Sequence, residues 1–230
     1  MKEKIAIFGS AFNPPHNGHL KIVSKALDFL KFDRVFIIPT GKPPHKNVEE
    51  FSPQVRYFMA GISFFCFHPK KVREYLTDFV RDESQRAFFI DYYERNFFYF
   101  HNERLLLSDY EIKRKEKSYT IETVRYFKKE YPESEISIII GMDEAICLDT
   151  WKEWEKLKEM VTFVIAKRAE VDENKVKEKF PFLIFFPFEE VNISSTFIRE
   201  KIKNEEDITG LVPDVVKLFL SIYLPFKAKD

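Results

Sequence analysis

The sequence predicts an α/β fold: a mostly parallel sheet with helices on both faces and an inserted helical pair. Three observations predict it. Short apolar runs rich in Ile, Val, Leu and Phe recur along the chain, and amphipathic stretches at helical spacing separate them. Segments rich in glycine, proline and histidine follow several of the runs, where loops at the carboxyl edge of a parallel sheet lie. Strands alternating with helices favour parallel pairing through crossovers.

The elements follow in order. IAIF (5–8) is the first strand, and in HLKIVSKALDFL the residues Leu20, Val23, Ala26, Leu27 and Leu30 recur at helical spacing. VFII (35–38) is the second strand. Between Phe67 and Asn102 the rhythm breaks: KKVREYLTDFV and SQRAFFIDYYER read as two helices, too long for one crossover, ending in FFYF (97–100). LLL (105–107) is the third strand, followed by a helix with Ile121, Val124 and Phe127 on one face. ISIII (136–140), VTFVIA (161–166) and LIFF (183–186) complete the strands, and Val215, Val216, Leu218, Phe219 and Ile222 stripe a last helix behind Pro213. The runs suit strands buried on both faces.

Composition narrows the function classes. The 230 residues suffice for a single domain over 1–230, with 67–102 as a Phe/Tyr-rich helical insertion within it. Hydrophobic residues at 45% and charged residues at 32% are an ordinary soluble balance. The 37 basic and 37 acidic side chains cancel, which speaks against nucleic acid or an anionic membrane as partner. The apolar run at the start stops at Phe8, too short for a signal-peptide core or a spanning helix. Cys66 and Cys147 form no CxxC, so reduced thiols and a cytoplasmic location are expected.

Only six glycines occur, less than half of the roughly 7% of average usage. Gly9, Gly18, Gly41 and Gly141 each fall at a strand end or a helix start. GSAFNPPHNGHL (9–20) lies between the first strand and the first helix. There Gly9 lets the chain turn, the helix beginning near Asn17–Gly18 offers free N–H groups, and His16 and His19 flank that start, a natural anion site. PTGKPPHK (39–46) adds His45 and Lys46, both suited to an anion. GMDEAICLDTWKEW (141–154) places Gly141 and Asp143 at the mouth, with Asp143 able to accept from sugar hydroxyls. In ISSTFIRE (193–200), Ser194 or Ser195 can cap a helix with Arg199 one turn in, again suited to phosphate. Each segment has a plain alternative: a turn glycine, a surface histidine, a solvated loop lysine, an N-cap serine, a core tryptophan. Joint placement on one sheet edge favours a single site. No third ligand joins His16 and His19, so no protein-held metal is expected. Neither GxGxxG nor GxxxxGK[ST] is present.

FGSAFNPPHNGHL (8–20), IPTGKPPHK (38–46), SYTIETV (118–124), IIGMDEAICLDTWKEWEKL (139–157) and ISSTFIRE (193–200) stand in one order. In them the chain resembles the bacterial nicotinate-nucleotide adenylyltransferases. This is the branch of the HxGH nucleotidyltransferase superfamily that makes deamido-NAD from ATP and nicotinate mononucleotide. The resemblance implies a Rossmann-like nucleotidyltransferase fold and runs from residue 1 to about residue 224, excluding the insertion. By this resemblance His16, His19, Lys46 and Arg199 would be catalytic. Gly9, Ser10, Ala11, Phe12, Gly18, Gly141, Asp143, Ser194, Ser195 and Thr196 would bind ATP. His45, Thr120 and Trp151 would bind nicotinate mononucleotide, the Trp151 ring stacking on the pyridine. Mg²⁺ would arrive on the ATP phosphates. Ser10 and Ala11 depart from the family's usual Gly then Thr or Ser, and Ala169 stands where proline is common.

Rival readings within the superfamily are a nicotinamide-mononucleotide, pantetheine-phosphate or cytidylyl-transferring enzyme. From another class comes a nucleotide-binding regulator without turnover. For the insertion, packing on itself and the neighbouring sheet comes first. A homo-oligomer contact is second, a lid third, and a nucleic-acid stacking platform last.

Overall fold

The computed structural model describes residues 2–43, 50–167, 173–188 and 193–227. Among them the strands β1 (Lys4–Ser10), β2 (Arg34–Pro39), β3 (Leu105–Leu107), β4 (Glu135–Gly141), β5 (Thr162–Ala166) and β6 (Ile184–Phe186) form one sheet. Its order is β3-β2-β1-β4-β5-β6 and every pairing is parallel. This is the strand order of doubly wound dinucleotide-binding folds, whose ligands sit where the winding reverses, here between β1 and β4. The register sets Ser10 opposite Pro39 and Phe8 opposite Ile139, so the loops that follow these strands emerge together.

The helices are α1 (Asn17–Leu30), α2 (Pro53–Ser63), α3 (Pro69–Phe79), α4 (Glu83–Phe100), α5 (Tyr110–Lys113), α6 (Thr120–Glu130), α7 (Met142–Ala145), α8 (Trp154–Met160), α9 (Glu173–Lys179), α10 (Ser195–Lys203) and α11 (Asp214–Lys227). Strand alternation puts Ala6 and Phe8 on the α1 face with Val23, Ala26 and Leu27. Ile5 and Ile7 meet Phe127 of α6 on the other face. Along β4, Ile138 and Ile140 join Ile121 and Val124 of α6, Trp154 of α8 and Phe163 of β5. Burial on both faces holds for the central strands only. The edge strands β3 and β6 are partly open, with Ile184 43% exposed.

The two helices expected between Phe67 and Asn102 are α3 and α4, and they pack against each other. Their core is shared with α2 and α11, and Leu107 of β3 packs against it. Val72, Leu76, Phe89, Ile90, Tyr93 and Phe97 join Phe58, Ile62, Val216 and Phe219 in one cluster. Tyr93 Oη donates to the Phe67 carbonyl at 2.8 Å, which satisfies the one polar atom this buried ring carries. Of FFYF, Phe97 is buried, whereas Phe98 and Tyr99 are 85% and 84% exposed. Among the described residues, no helix is long and apolar enough to cross a membrane. Cys66 and Cys147 are free thiols, and burial pushes the Cys66 thiol up to about 12, away from nucleophilic chemistry.

Candidate active site

The site is built where β1 hands over to α1. Gly9 does not make the turn. It lies inside β1 opposite Ile38, and the reversal falls at Phe12, with φ of 48°. A Cβ on Gly9 would meet nothing closer than 3.9 Å, so glycine keeps the space above the strand end open. The Phe12 ring is fully buried against Phe8, His19 and Phe64, which leaves only its backbone to face a ligand.

His16 is the N-cap of α1, and its ring lies on the His19 ring, centroids 3.7 Å apart. Gly18 makes room for this stack, because a Cβ there would sit 2.9 Å from His16 Nδ1. His16 N–H donates to His19 Nδ1 at 3.1 Å, and His19 Nε2 lies 3.1 Å from Ser10 Oγ at the mouth. Burial first, and the neighbouring His16 second, hold the His19 imidazole well below the usual histidine range. His19 is therefore neutral at physiological pH. Ser10, the departure from the family pattern, supplies an extra polar group beside that ring.

The second wall is α10, which Ser194 caps by accepting from Phe197 N–H at 3.1 Å. It docks on the loop after β1: Ser195 Oγ donates to the Pro14 carbonyl at 2.9 Å and Arg199 Nη1 to the Asn13 carbonyl at 2.9 Å. Ser195 has thus committed its hydroxyl proton. Arg199 Nη2 donates to Thr196 Oγ1 at 3.1 Å, and these two bonds use two of five guanidinium hydrogens. Asn17 fastens the α1 start to the segment before α11, donating to Gly210 O at 2.8 Å.

Gly141 ends β4 and caps α7, where a Cβ would lie 2.5 Å from Asp143 Oδ1. Asp143 itself is exposed at the mouth. Further along the edge, Thr120 opens α6 and Trp151 precedes α8. These segments are tied by Arg125, which grips Glu153 through two bonds of 3.1 and 2.8 Å, and by Lys152 Nζ, 4.5 Å over the Tyr119 ring. Glu153 stands at φ 52°, and hydrogen bonds from Arg125 first and Lys156 second lower its carboxyl to about 2. Trp151 is half-buried, its ring against Phe163 at 6.2 Å. His45 and Lys46 lie outside the described residues, as does Ala169.

Sequence reasoning missed Arg56. It projects from α2 with 1% of its surface exposed, and Nη1 donates to both Ala11 O (2.7 Å) and Thr40 O (2.6 Å). Nη2 donates to Gly41 O at 2.9 Å. Nearby, the Glu111 carbonyl fits against Gly41, where any Cβ would collide with it. Burial raises the Glu111 carboxyl, which accepts from Thr123 Oγ1 at 2.6 Å. No motif marks Arg56, whose partners are backbone carbonyls.

The assembled groups are imidazoles, a guanidinium, hydroxyls and two helix N-termini around one opening. That set suits a polyanion with sugars attached. Among the described residues, no three His, Cys, Asp or Glu side chains converge as metal ligands.

Comparison with known proteins agrees. The cytidylyltransferase-like family model matches residues 7–97 and 98–201. A probable nicotinate-nucleotide adenylyltransferase of Clostridium tetani is 35% identical over 93% of this chain and 94% of its own. One of Clostridium acetobutylicum is 31% identical over 94% of each. The Plasmodium falciparum nicotinic acid mononucleotide adenylyltransferase, solved with NaAD, superposes with a TM-score of 0.68 at 18% identity, covering 95% of both chains. That likeness is one of fold. Identity at this level across nearly the whole of both chains, together with the family-model match, shows that the chain belongs to the nicotinate-nucleotide adenylyltransferase family of cytidylyltransferase-like proteins.

Proposed function

We propose that this protein transfers AMP from ATP to nicotinate mononucleotide, giving nicotinate adenine dinucleotide and pyrophosphate. The observation that carries the reading is His19, held neutral with its proton on Nε2 and aimed at the opening where β1 meets α1. Family membership supplies the acceptor.

A phosphate oxygen of the mononucleotide attacks the α-phosphorus of ATP, a new P–O bond forms, and the bond to the β-phosphate oxygen breaks. The nucleophile is already ionised at neutral pH, so no general base is needed. Catalysis is positioning plus stabilisation of negative charge. His19 Nε2–H and His16 donate to phosphate oxygens beside the open space over Gly9. Arg199, Thr196 and the N–H groups opening α10 hold the leaving pyrophosphate. Asp143 accepts from a ribose hydroxyl beside Gly141. Thr120 and the Trp151 ring receive the pyridine, and His45 and Lys46 meet the acceptor phosphate. Mg²⁺ enters as part of the substrate, on the triphosphate.

The test is pyrophosphate release with Mg-ATP and nicotinate mononucleotide, nicotinamide mononucleotide or phosphopantetheine as acceptor. Strong preference for the first is expected. Preference for another would keep the phosphate site and overturn the roles of Thr120 and Trp151. ATP binding with no release from any of them would favour the regulator.

A further inference from the structure

We propose that Arg56 is a positioning residue for the transfer step, setting the distance between the loop after β1 and the loop after β2. A single nitrogen, Nη1, bridges the two loops by donating to Ala11 O and Thr40 O, while Nη2 holds Gly41 O. The sheet ladder ends at the Ser10–Pro39 pair, and one backbone bond follows it, from Thr40 N–H to Ser10 O at 2.9 Å. Beyond that point Arg56 ties the two loops together. Its three carbonyl partners converge on one spot, half-buried at Ala11 and Thr40 and buried at Gly41, where a forked donor serves all of them.

The second loop is braced from its far side as well. Lys42 N–H donates to Ser118 Oγ at 3.3 Å, and Ser118 N–H to Lys42 O at 2.8 Å. Arg56 therefore spans from the phosphate loop to the base of a segment tied to the start of α6. Burial lowers the guanidinium to about 10, against the smaller pull of the nearby Glu111, and it stays protonated at neutral pH. No atom of Arg56 needs to touch substrate. On the reading above, which this inference rests on, the first loop holds ATP and the second faces the acceptor. In-line attack tolerates little error between them: a misplacement of about 1 Å costs on the order of a hundredfold in rate.

Lysine at this position tests the fork, because it keeps the charge and the stem but offers one nitrogen for three carbonyls. R56K and R56M are purified as folded protein, and kcat is expressed per ATP-binding site counted by calorimetry. Expected is a fall in kcat of about thirtyfold or more in both variants. The KM for ATP should stay within about threefold, since α10 and α1 keep their own ties to residues 13–17. A merely structural role would lower Tm and the number of ATP sites but leave kcat per site unchanged, and that outcome overturns the proposal. Wild-type kcat in R56K overturns it too, and R56K alone decides if R56M does not fold. Wild-type protein without turnover would instead sink the transfer reading, and this inference with it.

Discussion

The backbone N–H of His16 donates to Nδ1 of His19, and that one bond decides which nitrogen of the second ring carries the proton. With Nδ1 an acceptor, the neutral ring holds its hydrogen on Nε2 and presents it toward Ser10 Oγ and the opening. The first histidine of the pair thereby sets the tautomer of the second. His19→Ala removes the donor, and we expect turnover to fall by about a hundredfold or more while the far-UV circular dichroism stays that of the wild type. Near-normal pyrophosphate release in that variant would rule out His19 as a charge-stabilising donor.

The same burial links stability to pH. Unfolded, the imidazole titrates near its usual value of about 6.5. Folded, it stays neutral well below that. As pH falls below about 6.5 the unfolded chain takes up a proton that the folded one refuses, so this contribution to stability is full above that value and is lost beneath it, at up to about 1.4 kcal/mol per pH unit. Urea denaturation between pH 7.5 and 5.5 should show a steeper loss for wild type than for His19→Gln. Parallel curves would mean that the ring titrates normally.

Gly18→Ala separates folding from turnover. The glycine lies within α1 with no unusual backbone angle, and alanine there favours the helix by about 1 kcal/mol. Its new methyl would stand 2.9 Å from His16 Nδ1, however, and the ring would have to leave its stack. Stability within about 1 kcal/mol of wild type is expected, beside a loss of turnover of about tenfold or more. Unchanged turnover would show that the stacked arrangement is dispensable.

On α10 the two polar residues docked on the loop after β1 should differ. Ser195 donates its hydroxyl to Pro14, so Ser195→Ala should cost about 1 kcal/mol of stability and less than about tenfold in rate. Arg199 commits only part of its fork, and Arg199→Ala should cost about a hundredfold or more. Equal losses of rate would place both residues in the same role.

Deleting 67–102 would not be a clean excision. Val72, Leu76, Phe89 and Tyr93 cover Phe58 of α2 and Phe219 of α11, and removing them uncovers that core. Such a deletion should give insoluble protein, whereas Phe98→Ser with Tyr99→Ser, at exposed positions, should leave urea stability within about 0.5 kcal/mol. A stable monomer after the deletion would contradict the shared core.

Much of this was legible beforehand because it is periodic or local. IAIF, VFII and ISIII announce strands through unbroken apolar runs, and Ser194 announces a helix start through its residue type. What stayed hidden depends on partners distant in sequence or on backbone geometry. Arg56 sits in α2, a helix the sequence reading did not single out and whose residues Val55–Ser63 are all buried, and its role comes from carbonyls that any residue carries. The turn expected at Gly9 falls at Phe12 because the buried aromatic ring holds that residue at a positive φ, at a strain cost its packing offsets. The exposure of β3 and β6 follows from edge position, which no run of apolar residues reveals.

Arg199 reaches back 186 residues to Asn13, and Asn17 reaches forward 193 to Gly210. During synthesis the N-terminal portion emerges first, so the loop after β1 leaves the ribosome long before α10, the helix that docks on it. Until α10 (Ser195–Lys203) appears, the opening lacks Arg199 and one of its two helix ends. A nascent chain truncated before residue 193 therefore carries half a grip on nucleotide. Ligand binding thus rewards a chain that carries α10 more than one that stops short of it, and a ligand gripped by both walls selectively stabilises the longer chain.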